Sequence, residues 1–179
     1  PIDGTKEFIK KNGEFTVNIA LIDNNSPVLG VVYAPVLQKY WYGSKKGSYV
    51  IEKNKKRRIS INQKTNQTIK IVASRSHSSQ FLNQFLNHFK NYQLVNMGSS
   101  IKICLVAEGK ADIYPRLAPT MEWDTAAAHA VLKYANGSLL DLSTQTEMAY
   151  NRENMRNSFF IANSIINLKE ILNEISVTA

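Results

Sequence analysis

Along residues 15–22 of the chain, Phe15, Val17, Ile19 and Leu21 alternate with Thr16, Asn18, Ala20 and Ile22. That period of two predicts a strand. Asp23-Asn24-Asn25-Ser26 reads as a turn, and residues 28–33 return as a second strand, which predicts a hairpin. Three more short strands are predicted over 39–42, 48–52 and 58–62, separated by Gly- and Lys-containing turns. Residues 6–13 are polar and end in an Asn-Gly turn, and the helices that would partner this antiparallel sheet are expected to lie outside the sequence.

The pattern changes near residues 65–68. An apolar strand over 69–73 precedes a helical face of Phe81, Leu82, Phe85, Leu86 and Phe89. A strand over 92–97 leads into a helix opened by Gly98-Ser99-Ser100, carrying Ile101, Cys104 and Leu105 and stopped at Gly109. A strand over 111–114 follows, then a helix over 124–135 closed by Asn136-Gly137, strands over 138–142 and 158–162, and a short amphipathic helix over 168–175. This alternation predicts an α/β layer. We therefore expect two units, 1–66 as the end of an α+β domain and 67–179 as an α/β domain.

Composition narrows the class. With 44% hydrophobic and 20% charged residues the 179-residue chain is globular, and no apolar run is long enough to span a bilayer. The single Cys104 excludes an internal disulfide and fits a reducing cytoplasm, at or away from the inner membrane face. On the apolar side of its helix it reads as a buried thiol. A net charge of +8 favours anionic partners. Its densest run, Lys53 to Arg58, lies between short strands with little aromatic interleaving, so it reads as a solvated hairpin tip and not as a nucleic-acid surface.

Candidate chemistry begins at Pro1-Ile2-Asp3-Gly4-Thr5. A carboxylate suits Mg2+, glycine lets backbone N–H groups approach a phosphate, and a threonine hydroxyl can hold water. Asp-Gly is also an ordinary turn dipeptide. Far downstream, Trp123-Asp124-Thr125-Ala126-Ala127 puts a second carboxylate at the start of a helix. Ser74-Arg75-Ser76-His77 and Gly98-Ser99-Ser100 fall where strands end and helices begin, where anions gather. Ser99 and Ser100 read equally well as N-caps, Lys102 as a solvated helix residue and His77 as a loop histidine. His88 and His129 receive no role.

These two motifs together resemble the Mg2+-dependent, lithium-sensitive phosphatase superfamily of inositol monophosphatase and fructose-1,6-bisphosphatase. Its signatures read Asp-Pro-x-Asp-Gly-Thr and Trp-Asp-x-Ala-Ala-Gly. Thr5-Lys6-Glu7-Phe8, the Ser74–His77 stretch, Gly98-Ser99-Ser100 with Lys102, and Tyr114-Pro115-Arg116 look like its 3′(2′),5′-bisphosphate nucleotidase branch, of the CysQ type, from Pro1 to about Ala162. The resemblance implies the layered αβαβα sugar-phosphatase fold, with this chain supplying the antiparallel strands and the α/β half. It implies two or more Mg2+ ions held by Asp3, Asp124 and the Ile2 carbonyl. Gly4 and Thr5 would meet the scissile phosphate, with the Thr5 hydroxyl activating water. His77, Ser99, Lys102 and Arg116 would contact the nucleotide. The implied reaction converts adenosine 3′,5′-bisphosphate to AMP and phosphate, clearing a by-product of sulfate activation. The implied partner is thus a small nucleotide, with neither nucleic acid nor a transmembrane segment involved. The chain departs from the pattern at Ala128, where glycine is usual. It also lacks the signature's first aspartate and an upstream metal-binding glutamate, so it looks like the C-terminal part of a longer protein and is expected to be inactive alone. An inositol-phosphate phosphatase, or a remnant that only binds nucleotide, are the alternatives.

Overall fold

The computed structural model describes residues 2–62, 68–73 and 80–164. The predicted helix over 168–175 and the Ser74–His77 stretch lie outside these residues. The first sheet is an antiparallel meander of β1 (Ile2–Asp3), β2 (Thr16–Asp23), β3 (Ser26–Ala34), β4 (Lys39–Ser44), β5 (Gly47–Glu52) and β6 (Lys55–Ile59), with a one-turn helix α1 (Thr5–Ile9) between its first two strands. Asn24 and Asn25, both at positive φ, make the β2–β3 turn tight enough for the twist of the strands it joins. The basic run is divided. Lys53 and Asn54 form the β5–β6 turn, whereas Lys55 to Arg58 belong to the exposed edge strand β6. Charge on an edge strand discourages pairing with another chain.

The second sheet contains β7 (Ile69–Ala73), β8 (Tyr92–Asn96), β9 (Ile113–Arg116), β10 (Ser138–Asp141), β11 (Thr146–Glu147) and β12 (Phe160–Asn163), in the order β11-β10-β12-β9-β7-β8. It is mixed: β7 is parallel to β8 and β9, and the remaining pairs are antiparallel. Over the inner strands β7, β9 and β12 both faces are covered, which is why these read as apolar runs. Val72, Tyr114, Phe160 and Ala162 face α3 (Ile101–Ala107) and α4 (Glu122–Lys133). Ile71, Ile113 and Ile161 face Phe85, Leu86 and Phe89, in and just beyond α2 (Gln80–Leu86). Gly109, at φ 69°, ends α3 as expected. Cys104 is fully buried within α3, and burial pushes its thiol well above the usual range.

The expectation that the first sheet has no helical partner in the chain is corrected. Helix α4 lies along β2, β3 and β4, and Val32, Ala34, Trp41 and Val50 share one core with Ala126, Ala127, Val131 and α3. The expected boundary near residues 65–68 therefore does not separate two cores. What admits the helix is the lack of side chains beneath it. A Cβ at Gly30 would stand 2.2 Å from the Ala127 carbonyl oxygen, and one at Gly43 would stand 2.6 Å from that of Ala130. Ala128, in place of the family's glycine, is fully buried in the same core. A second tie joins the sheet to α3. The buried Glu108 carboxylate accepts from Trp41, Lys39, Arg57 and Lys110, and although burial alone would raise its pKa, these partners hold it below the ordinary carboxylate range.

Close helix contact also decides which way β2 faces. Thr16 is buried and Asn18 and Ala20 are partly so, while Val17, Ile19 and Leu21 point outward, with Ile19 63% exposed and Leu21 58%. Leu29 and Tyr40 continue this apolar outer face. The layers thus run sheet, helix pair, sheet, helix. The helical layer expected outside the first sheet in an αβαβα stack is not among the described residues. Such a bare face favours association. The 179-residue chain is expected to elute in light-scattering chromatography as species larger than a monomer, and Ile19→Lys with Leu21→Glu to shift it to monomer. Elution of the unsubstituted chain as a monomer at all accessible concentrations would refute this.

Candidate active site

Asp3 ends β1, and Gly4, at φ 89°, turns the chain at once into α1. A side chain at Gly4 would crowd Ser99 Cβ at 3.2 Å as well as adopt a left-handed backbone, so glycine serves both needs. From the other half, residues 97–100 turn from β8 into α3, and Gly98 donates its N–H to Glu14 Oε2 (2.7 Å). These two turns meet. The Ser100 N–H donates to Asp3 Oδ2 (2.6 Å), which also accepts from the Thr16 hydroxyl (3.3 Å). Ser100 does not cap its helix with its side chain. Its hydroxyl lies 2.8 Å from that of Thr16 and donates to Asn18 Oδ1 (2.9 Å). Asp3 is therefore oriented from behind, and its Oδ1 takes no hydrogen bond among the described residues.

Asp124 is built in the same way. It is the third residue of α4, and its Oδ2 accepts from the Met121 N–H (2.9 Å), closing the helix start; Oδ1 is left over. Both aspartates open into one cavity of about 270 Å3, which is also lined by Gly4, Thr5, Lys6, Glu7, Ser99, Lys102, Tyr114 and Arg116. Burial, and then the nearby Asp124, raise the Asp3 pKa, with Lys102 opposing them. Two carboxylates, each with one oxygen pinned by a backbone N–H and one spare, suit a hard cation that would relieve their repulsion. Yet among the described residues no group of three or more His, Cys, Asp or Glu is placed to hold a metal ion. The donor set fits part of a metal site.

Lys102 is 5% exposed, donates to the Ser99 carbonyl (2.7 Å) and lies 5.2 Å from the Tyr114 ring centroid. Burial lowers its pKa to about 8, Asp3 pulls it back up and Arg116 pushes it further down. Arg116 Nη2 donates to the Pro119 carbonyl (3.1 Å). Burial drives the Tyr114 phenol well above its ordinary pKa, so it stays protonated. The cavity thus brings carboxylates and cationic side chains together, a mix suited to a phosphate ester held by a cation on one group and by Lys or Arg on another.

Of the residues singled out from sequence, Asp3, Gly4, Thr5, Ser99, Lys102, Arg116 and Asp124 line this single cavity. Ile2 directs its side chain outward from the sheet, 47% exposed, with its peptide adjoining Asp3. His77 lies outside the described residues. Lys6 and Glu7 were not anticipated as lining groups, nor were Thr16 and Ser100 as the groups orienting Asp3. A buried threonine paired with Asp3 in the β1–β2 register was the signal for the latter.

The chain matches the model of the inositol monophosphatase family over residues 1–177. It is 45% identical over 160 residues to the Salmonella typhimurium protein named 3′(2′),5′-bisphosphate nucleotidase CysQ, covering 89% of this chain and 64% of that one. The chain thus spans less than two thirds of that relative. Among solved structures, CysQ from Bacteroides thetaiotaomicron superposes with a TM-score of 0.84 at 42% identity, covering 91% of this chain and 67% of that one. The Thermotoga maritima IMPase shares the fold, with a TM-score of 0.76 at 24% identity over 97% of this chain and 65% of that one. No helix among the described residues is long and apolar enough to cross a membrane. On sequence and fold together, the chain belongs to the inositol monophosphatase family.

Proposed function

We propose that the protein carrying this chain is a Mg2+-dependent phosphomonoesterase that releases the 3′-phosphate of adenosine 3′,5′-bisphosphate, giving AMP and phosphate. The observation that carries this reading is that Asp3 and Asp124, each with one oxygen to spare among the described residues, line one cavity together with Lys102 and Arg116. The names of the CysQ relatives support the substrate class. In this reading Asp3, Asp124 and the Ile2 carbonyl would hold Mg2+, which would supply charge neutralisation on the phosphoryl group and an acidified water. The Gly4 and Thr5 N–H groups face the scissile phosphate, and the Thr5 hydroxyl orients the water in line with the departing 3′-oxygen. Lys102, Arg116 and Ser99 hold the nucleotide beyond the reacting bond, joined by His77. The substrate is a small molecule, and no nucleic acid takes part.

The direct test uses the full-length protein that carries this chain. Phosphate release from adenosine 3′,5′-bisphosphate should then require Mg2+ and be inhibited by Li+; undiminished turnover in excess chelator would exclude the mechanism. The 179-residue chain alone should bind the nucleotide by calorimetry without turning it over, because two carboxylates make only part of the site.

Lys102→Ala and Arg116→Ala should each raise KM more than they lower kcat, since both would grip a part of the substrate that does not react. A charge-assisted contact of this kind is worth about 1.5–3 kcal/mol, or roughly 10–100-fold. Because the free Lys102 loses its proton near pH 8, kcat/KM should fall above that pH, and Lys102→Ala should lose this limb. A variant with unchanged kinetics would remove that residue from the assignment. Equal turnover of inositol phosphate and nucleotide, both indifferent to Lys102, would favour the inositol-phosphate reading.

A further inference from the structure

Asp124 opens α4, but the turn it stands on is held from a distant segment. Asn157, 5% exposed, donates from its Nδ2 to Met121 O (2.8 Å), Thr120 Oγ1 (3.1 Å) and Thr125 Oγ1 (3.1 Å). Its backbone N–H donates to Thr120 O (2.8 Å), and its Oδ1 accepts from Arg152 Nη2 (3.0 Å). The partners dictate the residue type. Three oxygens share the two N–H groups of the amide and a guanidinium faces its oxygen; a carboxylate would bring no N–H to the first side, and a flipped amide would set its NH2 against the guanidinium. Met121, whose carbonyl Asn157 holds, is also the residue whose N–H fixes Asp124 Oδ2. Thr125, whose hydroxyl Asn157 holds, directly follows Asp124. It takes a second contact from Tyr150 (3.4 Å), itself 3.0 Å from His129 Nδ1. Beside them Glu122 accepts from the Asn151 and Arg152 backbone N–H groups and from Arg152 Nε. The 150–157 segment therefore closes over the start of α4.

We propose that Asn157 is a positioning residue for the cation site. It touches neither cation nor substrate, and sets where the spare Oδ1 of Asp124 stands relative to Asp3. The proposal rests on the reading of Asp3 and Asp124 as cation ligands. Mg2+ tolerates little departure from its coordination geometry, so a small rotation of this turn is costly in affinity. Groups that orient a ligand from behind characteristically change metal affinity about 10–100-fold when removed.

The test uses the full-length protein that carries this chain and Mn2+, whose binding is read from water-proton relaxation without any turnover. Asn157→Ala should weaken Mn2+ affinity about 10–100-fold, while inorganic phosphate affinity changes less than about twofold. Thr125→Val keeps the side-chain shape but loses the hydroxyl, and should weaken Mn2+ in the same direction; Thr125→Ser should restore it. If Asn157→Ala folds and binds Mn2+ like the parent protein, the proposal is wrong. If Asn157→Ala does not fold, the valine and serine variants decide, and equal Mn2+ affinity in the two overturns it. A parent protein that binds no Mn2+ would remove the cation role of Asp3 and Asp124, and the proposal with it. That outcome is distinct from a parent protein that binds and variants that bind equally well.

Discussion

Asp124→Asn, in a form of the protein that turns over nucleotide, is expected to lower phosphate release by roughly a thousandfold. The substitution keeps the size of the side chain, and the amide oxygen can still accept from the Met121 N–H, so the start of α4 should persist. What is lost is the negative charge facing Asp3. A metal ion acting on a phosphoryl group contributes several kcal/mol to the transition state, and each 1.4 kcal/mol is tenfold in rate. Asp3→Asn should be comparable, with an added cost. Its Oδ2 accepts the Ser100 N–H from the other sheet's turn, so an amide nitrogen placed there would loosen the approach of α3. Initial rates across a Mg2+ titration check both. Recovery of full rate at high Mg2+ would mean that the carboxylate only raises affinity, and a rate loss below tenfold would take Asp124 out of the reacting centre.

The second large effect is on stability. Gly30→Val should destabilise the chain by about 3 kcal/mol or more, at the upper end of what overpacking costs. The added Cβ would stand 2.2 Å from a backbone carbonyl of α4 and 2.8 Å from Ala130 Cβ, and a helix backbone cannot step aside as a side chain end can. For a domain of this size that corresponds to a fall in Tm of roughly 6–12 °C. Gly30→Ala should show most of the same loss. Thermal unfolding by circular dichroism measures it. A fall below about 2 °C would mean that α4 does not approach β3 as closely as described. The helix that Gly30 admits also carries Asp124, so metal affinity should fall together with stability in this variant.

Much of this architecture is legible locally. Alternation in β2, the Asn24-Asn25 turn, the helical stop at Gly109 and the apolar runs of the second sheet each follow from a few neighbouring residues. What is not legible is which face of a strand is inside. Val17, Ile19 and Leu21 carry the apolar signal of β2, yet the side that packs on α4 is the one with Thr16 and Ala20. Alternation marks two faces without saying what lies against either, and here a helix pressed onto glycines selects the small and polar one. The site divides along the same line. Asp3-Gly4-Thr5 and Trp123-Asp124 are visible as motifs, and the resemblance joins them. Ser100, Thr16 and Asn157 are ordinary polar residues in sequence. Their importance arises from bonds to positions far away along the chain, for which no spacing rule exists. Glu122 likewise stands just ahead of the helix expected over 124–135 and belongs to no motif, yet it gathers the N–H groups of a returning segment.

The seating of α4 on Gly30 and Gly43 has a consequence for how the chain is made. During synthesis the six-stranded meander, which ends at Ile59, leaves the ribosome before α4, whose last residue is Lys133. At about 5–20 residues per second this interval lasts roughly 4–15 s. Throughout it Val32, Trp41 and Val50 have no cover, and β6 stands as an unpaired edge guarded only by its lysines and arginines. The closing contacts are also long-range, a class that folds slowly because loop entropy is lost before any contact compensates for it. The nascent meander is thus a species that holding chaperones should recognise, and its own basic edge is the main barrier to pairing with another nascent copy.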